Sequence, residues 1–341
     1  MATTTVGIVG AGSIGRMHMR AFKELGARVA AISSRRAEQA AQVAKEEGSP
    51  GCAFTTDPDE LVRRPELDLV AITSSSGSHA RLALAAIAAG KHVVIEKPMA
   101  MNAADARRIV DAAAARKVLL SVISQRRFEP QHQIVKRAIA GGALGRLLLV
   151  EARCPYYRSQ EYYDSADWRG TIAEDGGALM NQSIHSVDLM LWLGGPAREV
   201  VGRIATQTHR MEAEDLALCI VTFASGALGT ITASTSIRPG FLPALDLFGE
   251  HGSIRLEGAS ITHWSVPGVE MPASGGAASA GVANPQLASH EHHRTQLADV
   301  LAALEEGRAP AVTGEDGLRA VELVDGVYQS AKLNRAVSLG S

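Results

Sequence analysis

The first fifteen residues admit few folds. Val6-Gly-Ile-Val is a short apolar run, followed by Gly10-Ala-Gly12-Ser13-Ile14-Gly15 and then by a helically spaced stretch from Met17 to Leu25. Glycines at this spacing between a strand and a helix have separate uses. The first makes a tight turn, the second lets bare backbone approach a pyrophosphate, and the third lets helix and strand pack closely. The N–H groups of the helix's first turn, at Ser13 and Ile14, then face the anion. Alone, the pattern would equally fit a structural turn. Between a strand and a helix it points to a bound dinucleotide.

The next strand, Arg28 to Ile32, ends in Ser33-Ser34-Arg35-Arg36. An NAD site usually has Asp or Glu here to hold the ribose 2′-OH. With no carboxylate to repel a 2′-phosphate, and with Ser33, Ser34 and Arg35 to bind it, the segment favours NADP over NAD. The alternative is that the arginines begin a solvated helix and stack on adenine without discriminating.

Apolar runs at Leu67–Thr73, Lys91–Ile95 and Val118–Ile123 alternate with helical stretches at Ala37–Glu47, Ala80–Ala89 and from Asn102 onward. Continuous apolar strands separated by helices indicate a doubly wound parallel sheet covered on both faces. After about residue 124 the rhythm changes. Six strand-like runs lie between Arg146 and Leu256, several joined by short turns such as Ser225-Gly226 and Glu250-His251-Gly252. They predict an α+β domain with a large, open, mainly antiparallel sheet. Two helices, near 286–306 and 315–332, close the chain, and the Gly-, Ala- and Ser-rich stretch Met271 to Val282 reads as a mobile loop. At 341 residues, two domains are expected, 1–123 and 124–341, with the last helix free to pack back on the first.

Composition narrows the class. A formal charge of −2 provides no long-range attraction to nucleic acid or an anionic membrane. No apolar run reaches the ~20 residues of a membrane span, and no secretory signal is visible at the N-terminus. The three cysteines, Cys52, Cys154 and Cys219, lie far apart with no Cys/His cluster. This predicts neither a disulfide framework nor a metal site, and a reducing cytoplasm.

Three segments are candidates for chemistry. Glu96-Lys97-Pro98 directly follows a parallel strand, and a doubly wound sheet binds ligands beyond the carboxyl ends of its strands. An exposed lysine would be the default reading. In this position Lys97 is instead expected beside the nicotinamide, bonding a substrate hydroxyl and helping to remove its proton. In Asp175-Gly-Gly-Ala-Leu-Met-Asn181-Gln-Ser-Ile-His185-Ser-Val-Asp188, spacings of four and three put Asn181, His185 and Asp188 on one helix face. The glycine pair before them permits close approach of backbone to a ligand. The other reading of these polar residues is a satisfied structural network. Finally, four of the five tyrosines, including Tyr157 and Tyr163, fall with Trp168 inside thirteen residues, interleaved with Arg153, Arg158 and Arg169. Aromatic faces and guanidiniums suit either a sugar platform or a subunit contact.

Taken in order, GIVGAGSIGRMH, TSSSGSHARLALAAIAAGKHVVIEKPMA and GGALMNQSIHSVDLMLWLGG resemble the Gfo/Idh/MocA oxidoreductases, and the likeness extends into the C-terminal tail. The resemblance implies a Rossmann domain, a C-terminal sheet domain, and homodimers or homotetramers formed through that sheet. It also implies reversible oxidation of a secondary hydroxyl on a sugar, anhydrosugar, cyclitol or derivative. By motif, Lys97 matches the catalytic lysine and His185 the histidine acting with it. Ser74, Ser75 and His79 match the loop lining the cofactor, with Glu96 and Lys97 beside it. Asn181 stands where many relatives carry aspartate, so it is expected to orient substrate, and Asn181→Asp is expected to retain activity. Arg153, Tyr157, Arg158, Tyr163 and Trp168 are expected to contact substrate together with Asn181 and His185. Two other readings of the same fold are a non-catalytic dinucleotide-sensing regulator and a redox-cycling glycosidase.

Overall fold

The structure is a computed structural model in which residues 3–271 and 290–340 are described. Beyond Met271, the stretch read as a mobile loop lies outside the described residues, as does the beginning of the helix read from Gln286. In chain order, strands and helices alternate through β1 (Thr5–Val9), α1 (Ser13–Glu24), β2 (Arg28–Ser33), α2 (Ala37–Glu47), β3 (Ala53–Thr55), α3 (Pro58–Val62), β4 (Leu69–Ile72), α4 (His79–Ala88), β5 (His92–Ile95), α5 (Ala103–Arg116) and β6 (Leu120–Val122). Then come α6 (Pro130–Ala140), β7 (Leu147–Pro155), α7 (Gln160–Asp164), a π-turn over Ala178–Gln182 and α8 (Ile184–Gly194). The chain continues with β8 (Ala197–Ala205), β9 (Leu216–Phe223), β10 (Leu228–Ser234), β11 (Ala244–Gly249), β12 (Ser253–Glu257) and β13 (Ser260–Ser265). It ends with α9 (Glu291–Glu306), α10 (Gly314–Leu333) and β14 (Val337–Ser338).

The chain divides into two units, one of residues 1–125 with 290–318, the other of 126–289 with 319–341. In the first, six parallel strands run in the order β3-β2-β1-β4-β5-β6, the doubly wound arrangement. β4 is buried at every residue, because helices cover both faces of the sheet. Phe22 and Met19 of α1, Val43 of α2, and Leu297 and Val300 of α9 close over Ile8, Ile32 and Leu69 in one core. Asn102 caps α5, its side chain accepting from the Asp105 N–H at 2.8 Å. α9 is tied to the sheet edge by Gln296, which accepts from the Ser124 N–H at 3.0 Å and donates to the Val122 carbonyl at 2.8 Å.

In the second unit, eight strands run β13-β12-β11-β7-β10-β9-β8-β14, all antiparallel except the β7–β10 pair. The strand period of two separates the faces. Val150, Ala152 and Cys154 of β7 are buried on the side packed by α8, whereas Leu149, Glu151 and Arg153 point to the opposite face. The registers place Leu228 beside Leu149 and Thr222, and Ile220 beside Thr230 and Val201, so these residues share that open face. There Leu218, Ile220 and Leu228 are each more than half exposed.

Candidate functional site

The first unit presents its loops at the carboxyl ends of β1, β4 and β5. Gly10 leaves β1 with φ +106, and a Cβ there would press on the Thr73 backbone at 2.7 Å, while a Cβ on Gly15 would overlap the Gly10 carbonyl. Both glycines are therefore used by the fold itself. Gly12 differs. A Cβ there would meet nothing within 4 Å, and as the N-cap of α1 it brings no side-chain hydrogen bond to the first turn. The N-terminal N–H groups of a helix, with Ser13 and a 39%-exposed Ile14 beside them, thus border open space at the switch between β1 and β4. This is the cradle that a dinucleotide pyrophosphate fits.

At the end of β2, Ser33 is only 2% exposed, Ser34 donates to Gln39 Oε1 at 2.9 Å, and Arg35 is exposed. After β4, Ser74 and Ser78 share a hydroxyl hydrogen bond at 2.7 Å, and Ser78 donates to the Ser75 carbonyl at 2.7 Å. His79 is fully enclosed. Its Nδ1 lies 2.8 Å from the Pro98 carbonyl and its Nε2 3.1 Å from the Ser74 carbonyl. Burial pushes this imidazole below its ordinary value, and a neutral ring has one N–H, so it serves the two carbonyls in turn. His79 pins the loop after β4 to the Lys97-Pro98 loop. The expectation that it contacts the cofactor is corrected, because both ring nitrogens are spent on backbone.

Glu96 needs the same correction. Its carboxylate turns into the fold, where Oε1 accepts from His18 Nε2 at 2.9 Å and Oε2 accepts from the Lys97 backbone N–H at 3.2 Å. His293 Nε2 of α9 lies 3.7 Å from Oε1. Burial opposes ionisation of Glu96, but the His18 hydrogen bond and the charges of His18, His293 and Lys97 outweigh it and hold the carboxyl at about 2. The three side chains offer ligand atoms within 4.8 Å of one another, yet the 2.9 Å His18–Glu96 contact is a hydrogen-bond distance. Glu96 therefore holds the backbone from which Lys97, itself half-buried, departs.

This cluster predicts an acid response. Burial pushes His293 from 6.5 down to about 4, so on acidification the unfolded chain takes up that proton first and stability falls between those values. His79 and His132, also kept neutral by burial, add to the fall. The Glu96 contribution is complete above 4.5 and is lost as pH falls toward about 2. Melting temperature should therefore decline from pH 6.5 downward, and His293→Gln should flatten the first part of the decline. An unchanged slope in that variant would refute the assignment.

In the second unit, the Gly176-Gly177 pair leads into the π-turn. A Cβ on Gly177 would collide with the Glu214 carbonyl and carboxylate. The close approach that Gly177 permits is to Glu214. Glu214 Oε1 accepts from the Leu179 N–H at 2.8 Å and the Tyr328 hydroxyl at 3.0 Å, and burial raises its carboxyl above the ordinary range. The buried Asp175 accepts from the Gly170 N–H at 2.8 Å through Oδ2, and Asn181 Nδ2 donates to its Oδ1. Ser183 then breaks the helix, and α8 starts at Ile184 with His185 half-buried in its first turn. Asn181 and His185 are thus not one regular turn apart. Asp188 is engaged in a buried ion pair. Its two oxygens take Arg127 Nε at 2.8 Å and Nη2 at 2.6 Å in a pair whose side chains are each 5% exposed.

The aromatic segment splits. Tyr163 is 4% exposed and donates its hydroxyl to Thr235 Oγ1 at 2.9 Å, so its role is to hold the segment and not to read substrate. Arg153 is also corrected. Strand alternation puts it on the open sheet face, paired with Asp246 Oδ2 at 2.9 Å, away from α8. Tyr157 lies under the Arg238 guanidinium, 4.7 Å from its ring centroid. Arg158 and Arg169 lie over the ring of Tyr162, Arg169 also lies over Trp168, and the Tyr162 hydroxyl accepts from Gln182 Nε2 at 3.1 Å. His209 braces the same segment, with Nδ1 2.9 Å from Asp215 Oδ2 and Nε2 2.9 Å from the Arg158 carbonyl. Sequence reasoning missed His18, His293, Asp175, Glu214 and Arg127. Asp175 stands immediately before the glycine pair, His18 closes the first family-like segment and His293 lies in the family-like tail, whereas Glu214 and Arg127 carried no local signal.

Comparison with known proteins agrees with this layout. Residues 4–124 match the oxidoreductase family with an NAD-binding Rossmann fold, and residues 132–255 match the C-terminal domain of the same family. The chain is 30% identical over 336 residues to inositol 2-dehydrogenase 2 of Paenarthrobacter aurescens, covering 95% of each protein. It superimposes on the WlbA dehydrogenase of Bordetella pertussis, solved with NADH and UDP-GlcNAcA, with a TM-score of 0.88 and 30% identity, covering 100% of both chains. Levoglucosan dehydrogenase, at 20% identity and a TM-score of 0.86, shares the fold. With both domains matched and a relative at this identity spanning nearly the whole length, the chain belongs to the Gfo/Idh/MocA family of oxidoreductases.

Proposed function

We propose that this oxidoreductase reversibly oxidises a secondary hydroxyl of a sugar, cyclitol or close derivative, with a nicotinamide dinucleotide. The observation that carries the reading is the open cradle at Gly12, set between two packing glycines at the switch point of a doubly wound sheet. The inositol dehydrogenase and the NADH-bound WlbA dehydrogenase support it as relatives. When bound, the nicotinamide supplies the hydride acceptor. The chain supplies the rest. His185 takes the hydroxyl proton as general base, Lys97 bonds the same oxygen and assists, and the Asn181 amide orients a neighbouring hydroxyl. Glu96 and His79 fix the backbone on either side of Lys97. Tyr157, Arg158 and Trp168 border the substrate.

Ser34 and the exposed Arg35, with no carboxylate at the end of β2, support NADP as the preferred form, although WlbA was solved with NADH. Arg35→Ala should then lower the NADP-to-NAD ratio of kcat/KM by about tenfold, the worth of one charge-assisted hydrogen bond. An unchanged ratio removes Arg35 from the specificity site. The open, partly apolar sheet face of Leu218, Ile220 and Leu228 supports homo-oligomerisation through that sheet. The function itself is tested by following reduced-nicotinamide absorbance across monosaccharides, inositols, anhydrosugars and nucleotide sugars with both dinucleotides. Stoichiometric reduction supports a dehydrogenase, and its absence with every polyol refutes the proposal.

No helix among the described residues is long and apolar enough to cross a membrane, and the unpaired Cys52, Cys154 and Cys219 fit a reducing compartment such as the cytoplasm.

A further inference from the structure

The aromatic segment of the second unit contains a guanidinium whose Nε has no partner among the described residues. Arg169 Cζ lies 4.3 Å from the Tyr162 ring centroid and 4.6 Å from that of Trp168, so two π-systems clasp it. Its Nε is buried and has no hydrogen-bond partner, and Arg169 forms no ion pair among the described residues. A guanidinium stays charged in proteins, and its N–H groups lie in its plane in a fork matched to an oxyanion. Aromatic faces can screen the flat sides of such a group but cannot accept those in-plane hydrogens as a carboxylate or phosphate does.

The surroundings lead to the residues proposed to hold substrate. The N–H of Gly170, the next residue, bonds Asp175 Oδ2, and the other oxygen of Asp175 takes the Asn181 amide. On the other side, the Tyr162 hydroxyl accepts from Gln182, the residue after Asn181. Arg158 adds a second positive charge, its Cζ 5.6 Å from the same Tyr162 ring. Asp164 of the same segment has other bonds. It accepts from Gln160 at 2.8 Å and lies 3.5 Å from Arg210, and Arg153, the remaining arginine of the sequence cluster, is paired on the far face of the sheet.

We propose that Arg169 reads an oxyanion on the substrate, so that the sugar or cyclitol carries a carboxylate or phosphate near the hydroxyl that is oxidised. The inference rests on the oxidoreductase reading and names its substrate class. A neutral polyol hydroxyl can accept one of these N–H groups but brings neither the charge nor the paired oxygens that match the fork.

Calorimetric titration of the intact protein with NADH present, using D-glucose, D-glucuronate and glucose 6-phosphate, tests it without requiring turnover. At least one anionic probe should bind tighter than glucose by about 10- to 100-fold, and Arg169→Met should abolish that margin while leaving glucose and NADH binding unchanged. Which probe gains the margin distinguishes carboxylate from phosphate. Arg169→Lys, which keeps the charge but loses the fork and the flat stacking, should retain part of the margin. The proposal falls if neither anion outbinds glucose in the wild type. It also falls if Arg169→Met, or Arg169→Lys where the methionine variant does not fold, weakens glucose and the anions alike. If the anion margin depends on Arg169 but no polyol is ever oxidised, the site stands and the dehydrogenase reading fails.

Discussion

Replacing His185 by alanine, or Lys97 by methionine, will lower kcat by about 10²- to 10⁴-fold, the usual cost of losing a positioned general acid or base. Dinucleotide affinity should remain nearly unchanged in His185→Ala, because the pyrophosphate is proposed to rest on backbone N–H groups at Gly12 and the first turn of α1. Full activity in either variant would defeat the mechanism. Asn181→Ala should mainly raise KM. The structure changes the expectation for Asn181→Asp. Asn181 donates its amide to Asp175 Oδ1, and Asp175 is buried. A second carboxylate there would lose the donated hydrogen bond and either face a like charge or retain a proton. This variant should therefore be impaired at neutral pH and regain activity on mild acidification. A pH profile unchanged from wild type would show that Asp175 does not constrain this position.

Asp188→Ala should destabilise the second unit by about 3–5 kcal/mol, because it strands the buried Arg127 guanidinium. The two side chains are each 5% exposed and bonded through two contacts of 2.6 and 2.8 Å, and Arg127 also lies over the Trp192 ring. Removing both charges, as Arg127→Met with Asp188→Leu, should restore most of the loss, since apolar replacements avoid the desolvation that the pair must offset. Denaturant midpoints of the two variants decide the point. A single variant within about 1 kcal/mol of wild type would mean that the pair contributes little.

Much of the first unit could be read from local pattern. Its strands are buried on both faces and so appear as unbroken apolar runs, and Gly10, Gly12 and Gly15 mark the first turn because backbone geometry there tolerates no side chain or needs open space. Lys97 was legible for the same reason, as a charged residue placed directly after such a strand. Short or half-exposed elements were not. β3 at Ala53–Thr55, with burial at one residue only, and β13, with a single buried position, carry too little periodicity to separate from loop. The spacing of Asn181, His185 and Asp188 suggested one helix face. The π-turn and the break at Ser183 came from Glu214, which lies 35 residues beyond Leu179 and takes its N–H. Partnership decided the remaining roles. Glu96 faces inward because His18, 78 residues earlier, bonds it, and Arg153 reaches Asp246 because strand alternation puts it on the face of Glu151, the residue that β11 pairs with Asp246. Residue type, spacing and strand-to-helix order are properties of neighbouring residues, and these determined the fold class and the chemistry that the chain holds. Which polar groups stay available for that chemistry depends on hydrogen bonds and ion pairs between distant segments, and only the tertiary structure decided that.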